Sequence, residues 1–451
     1  MSLRFAFLLV LVPLLLVLSL RRPLWGLFSL MFMYYFRPDV WGKPGWWRPV
    51  EWLSIATFVS WMMRGKSIRI APVFLVSVFL LFTMVICSER AIASKQTSYD
   101  TTLIILKLVF AQFIVIQTVR DMNTLRVFLW VNILANLWTL KSALVQTIAG
   151  GGARVDLGAG QGGGANYLAM VFVMGLPILY FRYLHGSKLE RKIALMIAPL
   201  YVIAVVGTGS RGGFLALFFT MAFLSIRSGK KLAGFIVMLL LSAVFVIAIP
   251  QEKWERFTNT FSGEGKEAAS KNSRLRLWAG GLKMFKKSPI TGVGHDNYQI
   301  LSPSIVGVFA GKNPIPYDSA LEGRPGYEGF VAHSTWIQSL ADSGLIGSIP
   351  FFSLFIMSFF TLYRVRRLKL PPDIEKQVRV SSQILEAILW AFIIGSSFAS
   401  HFKLDFLWWY FGAVGALGLI ADQKASEWRQ FREAQLESIR QESVGPQPTQ
   451  I

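Results

Sequence analysis

Three short stretches of this 451-residue chain carry residue types that can do chemistry together. In Gly207-Thr208-Gly209-Ser210-Arg211-Gly212-Gly213, the glycines let successive backbone N–H groups face one point, Ser210 can cap a following helix, and a helix N-terminus carries partial positive charge. That arrangement suits a phosphate, and Arg211 adds a planar fork of donors matching phosphate oxygens. An arginine snorkelling to the membrane interface after a tight turn explains the same heptapeptide. In the second stretch, 272–285, Leu275, Trp278, Leu282 and Phe285 recur at three- and four-residue intervals, which predicts an amphipathic helix capped by Asn272 or Ser273. Arg274, four residues before Trp278, falls on the packed face and needs an anionic partner, either a ligand or an acid of the same loop. Arg276 points elsewhere, as a solvated charge. In the third, 332–347, Thr335 followed by Gln338 reads as a capping box and places His333 just outside a helix N-terminus. The dipole at that end disfavours an imidazolium, and a neutral imidazole can accept a proton, so a general base is one reading. A loop histidine satisfied by the backbone is the other.

The elements that must position these residues follow from composition. With 53% hydrophobic and only 16% charged residues, the chain is not a soluble multidomain protein. Its formal net charge of +21 does not indicate nucleic acid, because the long apolar runs leave no soluble basic face. The single cysteine, Cys87, excludes a disulfide framework and a cysteine metal cluster. Thirteen runs are long enough, at roughly 15 to 25 residues, to approach or span a membrane as helix. They lie near 3–20, 23–36, 50–63, 70–88, 101–119, 127–148, 166–183, 193–207, 211–226, 232–249, 346–363, 383–399 and 405–421. The second and third are short enough to be half-inserted. The first lacks a small-x-small cleavage site and is read as retained.

Alternate loops are basic: Arg21-Arg22; Arg64, Lys66 and Arg69; Arg120 and Arg126; Lys188, Arg191 and Lys192; Arg227, Lys230 and Lys231; Arg364, Arg366, Arg367 and Lys369. Such loops favour the cytoplasmic side, so the intervening ones, including 250–345, are external. That loop holds eleven basic against nine acidic residues, so the excess charge belongs chiefly to the cytoplasmic loops. The expectation is an all-α polytopic membrane protein of about 12 to 13 transmembrane helices. Residues 1–249 form an N-terminal bundle, 250–345 a large, partly helical external loop with catalytic segments, 346–421 further transmembrane helices, and 422–451 a cytoplasmic tail. The glycine-rich 150–164 stretch, with Arg154, Asp156 and Gln161, is a flexible linker or a substrate-facing loop.

The Ser210-Arg211-Gly212 turn, Arg274 before Trp278, Pro289-Ile290-Thr291-Gly292-Val293-Gly294, and His333 leading into Ser343-Gly344-Leu345-Ile346-Gly347 resemble, in order and spacing, the O-antigen ligase and polymerase superfamily. The resemblance covers roughly 165 to 365. It implies a GT-C-like membrane glycosyltransferase of the bacterial cytoplasmic (inner) membrane, with its active site facing the periplasm. The donor it implies is a glycan on undecaprenyl diphosphate, and the acceptor lipid A-core or another glycan. Arg211 and Arg274 would then hold the diphosphate, with Ser210 and Gly212 in the same cradle, and His333 would help activate the acceptor hydroxyl. In the family an Asn often follows the histidine, where this chain has Ser334. The first 160 residues match no motif of the family.

The mechanism this implies is inverting and needs no metal or cofactor. Fixed arginines and oriented N–H groups stabilise the charge growing on the departing diphosphate, one such donor being worth ~3 kcal/mol. His295, His401 and Arg154 are further candidates for the same cavity; a turn histidine also explains His295, in Gly294-His295-Asp296-Asn297, and a structural ion pair with Lys403 and Asp405 also explains His401. A polysaccharide polymerase or a protein O-oligosaccharyltransferase shares the donor and differs in the acceptor. A metal-dependent transferase would want close external carboxylates, and no external segment has an Asp-x-Asp or Glu-x-Asp pair. A flippase or transporter would want ionisable residues along several helices, for which Lys107 and Lys141 are the main candidates.

Overall fold

The computed structural model describes residues 3–36, 47–65, 67–149, 155, 157, 164–229, 266–305 and 329–443, and among them the chain is helical with no strand. The helices are α1 (Leu3–Arg21), α2 (Pro23–Phe36), α3 (Pro49–Met62), α4 (Pro72–Glu89), α5 (Lys95–Thr118), α6 (Met122–Ala135), α7 (Leu137–Ala149), α8 (Ala165–His185), α9 (Lys188–Gly207) and α10 (Arg211–Arg227). After them come α11 (Lys266–Lys287), α12 (Asn297–Ile305), α13 (Thr335–Val365), α14 (Pro372–Gly395) and α15 (Asp405–Ser443). Twelve of the thirteen apolar runs lie on these helices; the other, 232–249, is outside the described residues. Six spans among the described residues are long and apolar enough by themselves to cross a membrane. Large apolar side chains such as Phe79, Phe82, Leu106, Phe218 and Ile356 stand exposed on the helices, as a lipid-facing surface requires. The protein is an all-α, multi-pass membrane protein.

Local chemistry sets the helix ends. Proline opens α3, α4 and α14, where its missing N–H costs nothing. Ser94 caps α5, while Asp121 with Thr124 and Ser187 with Glu190 form complete capping boxes at α6 and α9. The 127–148 run is two helices rather than one, broken at Asn136. The charged segment after 421 continues α15 without interruption to Ser443.

The two sets of loops separate to opposite ends of the bundle. At one end arginines pair with the few acids: Arg126 with Glu190, Arg227 and Arg366 with Glu386, and Arg364 with Asp422. At the other end the 90–98, 165–167, 207–213, 288–300, 331–347 and 395–405 segments are joined in one hydrogen-bonded network. The main core runs through α2 and α4–α10 into α13–α15, and α1–α3 hold a smaller one. A third core, of Leu277, Met284, Val293, Tyr298, Leu301, Ala332 and Ala341, belongs to the segments that carry the predicted site.

Neither Lys107 nor Lys141 lies in the interior. Lys107 is exposed and pairs with Glu51 at 2.7 Å, and Lys141 is exposed over the Trp138 ring.

Candidate active site

The anion-side turn is built by two serine bonds. Ser210 Oγ accepts from Gly213 N at 3.0 Å, capping α10, and donates to Asn166 Oδ1 at 2.7 Å. A serine has one donor, and here it is committed to Asn166, so Ser210 aims the first turn of α10 rather than offering its own proton to an anion. Arg211 is the first residue of α10 and is half-buried. Next to it, a Cβ on Gly212 would lie 2.8 Å from Phe398 Cβ, so this glycine is what allows the 395–401 turn to press against the helix start.

His333 is fastened from both sides. Trp278 Nε1 donates to the carbonyl of fully buried Ala332 at 3.0 Å, which joins the α11 helix carrying Arg274 to the residue before the histidine. After it, Thr335 N donates to Ser396 O (2.8 Å), Thr335 Oγ1 donates to Ala399 O (2.9 Å), and His401 N donates to Thr335 Oγ1 (2.8 Å). His333 itself has φ of +50°, a left-handed conformation that costs a non-glycine residue on the order of 1–2 kcal/mol and persists only where neighbours over-determine it. The capping residue is Ser334, whose Oγ accepts from Ile337 N, and not Thr335 as the spacing suggested. Thr335 is spent on the 395–401 turn instead, and Ser334 has a structural use of its own.

The packed face of α11 also differs from its sequence pattern. Leu277 and Met284 are buried, whereas Leu275 and Leu282 are exposed. Arg274 shares the Leu277 side, three residues before it, and is half-buried; Arg276 is exposed. The bonds from Trp278 to Ala332 and from Tyr298 OH to Leu277 O (2.7 Å) orient the helix, and neither is visible in local periodicity.

The two glycine motifs interlock. Val293 N and Gly294 N donate to Ala341 O and Asp342 O, both at 2.9 Å, and Leu345 N and Ile346 N donate to Pro289 O and Ile290 O at 2.8 and 3.0 Å. Gly292 and Gly344 have φ of +68° and +55°, and a Cβ on either would collide with the opposite backbone. Gly344 thereby breaks α13 into a short helix, 335–343, and a long one. Asp342 Oδ1 accepts from Tyr298 N at 2.7 Å, and Asn297 clasps both backbone groups of Ser94 in the α4–α5 turn.

His295 is buried between this clamp and α5. Its backbone N–H donates to Ser98 Oγ (2.9 Å), its ring Nδ1 meets Ser343 Oγ (3.2 Å), and the ring stacks on Phe402. Burial pushes the His295 imidazole down to about 4. Burial first, and neighbouring His333 second, push His401 down to about 3; His401 Nδ1 meets Ser396 Oγ at 3.2 Å. Lys403 pairs with Asp296, a second left-handed non-glycine residue (φ +59°), and not with Asp405. Asp405 faces Tyr167 OH at 3.5 Å. Arg154 lies outside the described residues.

A cavity of about 200 Å3 opens among these parts, walled by Asp296, Lys403, Thr335, Gln338, Ser400, His401, Phe402 and Tyr167, with Gln299, Val331 and Leu404 completing it. A second, mainly apolar cleft of about 1010 Å3 runs between α2, α3 and α5 and ends at Asp405 and Trp409. Of the sequence candidates, Arg211 opens the helix whose Gly212 packs against Phe398 of the 395–401 turn, His333 lies two residues before Thr335, which is bonded to that turn, His401 belongs to the turn, Arg274 lies on the helix joined to Ala332 through Trp278, and His295 stacks on Phe402. Asn166, Ser396 and Asp296, which the sequence reading passed over, hold this arrangement together. The run Gly395-Ser396-Ser397-Phe398-Ala399-Ser400-His401, small and polar between two apolar helices, was the available signal.

Residues 194–352 match the family model described as O-antigen ligase. The chain carries an O-antigen ligase family segment. No curated protein matches the chain. The ligase-family segment runs from α9 into α13 and contains Arg211, Arg274, His333 and both interlocked glycine motifs. The 395–401 turn, Asn166 and Tyr167 lie outside it. The match supports a membrane glycosyltransferase of the O-antigen ligase or polymerase type in general.

Proposed function

We propose that this protein transfers a glycan from undecaprenyl diphosphate to a hydroxyl of lipid A-core, on the periplasmic face of the bacterial inner membrane. The observation that carries the reading is that the start of α10, with Arg211, and the His333 segment are fastened to the same 395–401 turn. A cationic helix start and an imidazole set on either side of one turn would suit inverting transfer from a diphosphate. The acceptor hydroxyl attacks the anomeric carbon from the face opposite the diphosphate, and its proton passes to His333. The carbon–oxygen bond to the diphosphate breaks, and the electron pair leaves with that oxygen. Arg211, Arg274 and the N–H groups of α10 meet the growing charge, each preorganised donor contributing roughly 3 kcal/mol. Proton acceptance by the base adds about 10² to 10⁴ fold.

The test is deletion in the native host, followed by analysis of the envelope glycans and complementation. The expected result is loss of long-chain lipopolysaccharide with accumulation of polymeric lipid-linked donor. Survival of single-repeat attachment alone would make the protein a polymerase, and unchanged glycans would sink the proposal. Arg211→Ala, Arg274→Ala and His333→Ala should each fail to complement at normal expression, with Arg276→Ala mild.

A further inference from the structure

The cleft between α2, α3 and α5 carries a group of charges that the transfer chemistry does not use. Lys107 Nζ lies 2.7 Å from Glu51 Oε1 and Arg48 Nη1 lies 3.4 Å from Glu51 Oε2, and all three residues line the cleft. Their depth is unusual. Arg120 Nη2 donates to Ser67 O at 2.8 Å, which sets the Met62 end of α3 level with the Thr118 end of α5. Glu51 and Lys107 each stand about 17 Å back from those ends, at 1.5 Å per residue, near the middle of the α5 span. Leu103, Ile104 and Leu106 beside Lys107 are exposed, as in a lipid-facing stretch. The Lys107 and Arg48 side chains are themselves 64% and 63% exposed, so they face the cleft mouth and not the protein interior. A charge at this depth is costly unless an anion meets it, and snorkelling together with local thinning of the bilayer brings a lipid headgroup within reach. The thinning has a cause here. Helices α2 and α3 have 14 residues each, about 21 Å, and fall short of a ~30 Å hydrocarbon core.

We infer that this cleft binds one anionic phospholipid of the bilayer, its phosphate on Arg48 and Lys107 and its acyl chains along the apolar walls of α2 and α5. Charge selects the class. Two cations share one carboxylate, which leaves a surplus of one positive charge at the mouth, the match for a single phosphodiester. A zwitterionic head would bring its own cation against Arg48 and Lys107. A diphosphate would exceed the surplus, and Asp405, only 9% exposed where the cleft ends, opposes further negative charge. The same carboxylate turns the head towards the mouth and the chains inward. At the ~30 Å3 that a water takes in the liquid, the cleft volume of about 1010 Å3 holds roughly thirty heavy atoms, the order of two acyl chains. Leu27, Leu30, Met33, Phe110 and Ile114 give those chains an apolar lining. Leu30 and Met33 belong to the small α1–α3 core, and Ile114 and Trp409 to the main one, so a lipid seated here joins the two. Among the described residues that line the cleft, none belongs to α10 or α11, which separates this site from Arg211 and Arg274.

The experiment is native mass spectrometry of the full chain in mild detergent, titrated separately with phosphatidylglycerol, phosphatidylcholine and undecaprenyl phosphate. The wild type should retain one phosphatidylglycerol, about tenfold more tightly than phosphatidylcholine. Lys107→Gln and Arg48→Gln each remove the surplus charge and should weaken that retention about tenfold, the loss of one charge-assisted hydrogen bond. Glu51→Gln enlarges the surplus and should strengthen retention, a change of sign that damage to the fold does not produce. Added phosphatidylglycerol should raise the thermal midpoint of the wild type and leave that of Lys107→Gln unmoved. Equal retention of phosphatidylglycerol and phosphatidylcholine, unchanged retention in both cation variants, or weaker retention in Glu51→Gln overturns the site. Preference for undecaprenyl phosphate over phosphatidylglycerol also overturns it and makes the cleft part of the substrate path. Lipid retention and thermal midpoint do not depend on transfer, so this site and the transferase reading can fail separately.

Discussion

Thr335→Val isolates the joint between His333 and the 395–401 turn. The side chains are nearly equal in size, so packing is kept while one hydroxyl is lost. That hydroxyl donates to Ala399 O and accepts from His401 N within a fully buried residue, so both backbone groups are left unpaired. Each unpaired buried group costs about 1–3 kcal/mol, giving about 2–6 kcal/mol of local destabilisation. The Thr335 N bond to Ser396 O survives, so the helix start should shift rather than detach. A displacement of about 1 Å at a catalytic group is enough for a ~10²-fold loss of turnover. The assay is glycan transfer by protein in nanodiscs, with a thermal midpoint measured in parallel. Thr335→Ser keeps both bonds and should retain turnover within a few-fold. Wild-type turnover and midpoint in Thr335→Val, or equal damage in Thr335→Ser, would refute the claim that this hydroxyl positions the histidine.

Three further outcomes test other parts. Trp278→Phe removes the donor to Ala332 O and leaves a buried carbonyl unpaired; it should cost about 1–3 kcal/mol in stability and depress turnover more than it raises donor KM. Gly292→Ala forces a Cβ into the Asp342 backbone at positive φ, so it should sharply lower the yield of folded protein, measured by size-exclusion profile, while Gly65→Ala, with open space around it, should show only the strain of its own positive φ. The buried histidines set a pH dependence of stability. His295 is held at about 4 when folded and returns to 6.5 when unfolded, so the unfolded chain binds the extra proton between those values. Its contribution, on the order of 3 kcal/mol, is present above pH 6.5 and lost as pH falls towards 4, and His401 acts in the same sense down to about 3. The thermal midpoint should therefore drop between pH 7 and 4.5, and His295→Gln should flatten that slope.

Helix positions were legible because each apolar run is a local property of the chain: burial or lipid contact rewards apolar side chains whatever they touch. The capping chemistry of Ser187 and Glu190 was written in the same local way, as was the cap at Ser210. The segregation of loops was legible too, since basic residues alternate along the chain and helices of membrane length carry them to opposite ends. Local spacing fails where a distant partner decides. Thr335 looked like a cap, yet the carbonyl of Ala399 and the N–H of His401 claimed its hydroxyl, and Ser334 took over the cap. Leu275 and Leu282 looked like the buried stripe of α11, but Tyr298 and Ala332 draw the Leu277 side inwards. Lys403 found its acid 107 residues away. From the sequence came the helices, their ends and the three residues suited to the chemistry. Only the tertiary structure decided that the short polar turn between α14 and α15 packs against Gly212 and is bonded to Thr335, because joining distant segments depends on contacts that no local pattern encodes.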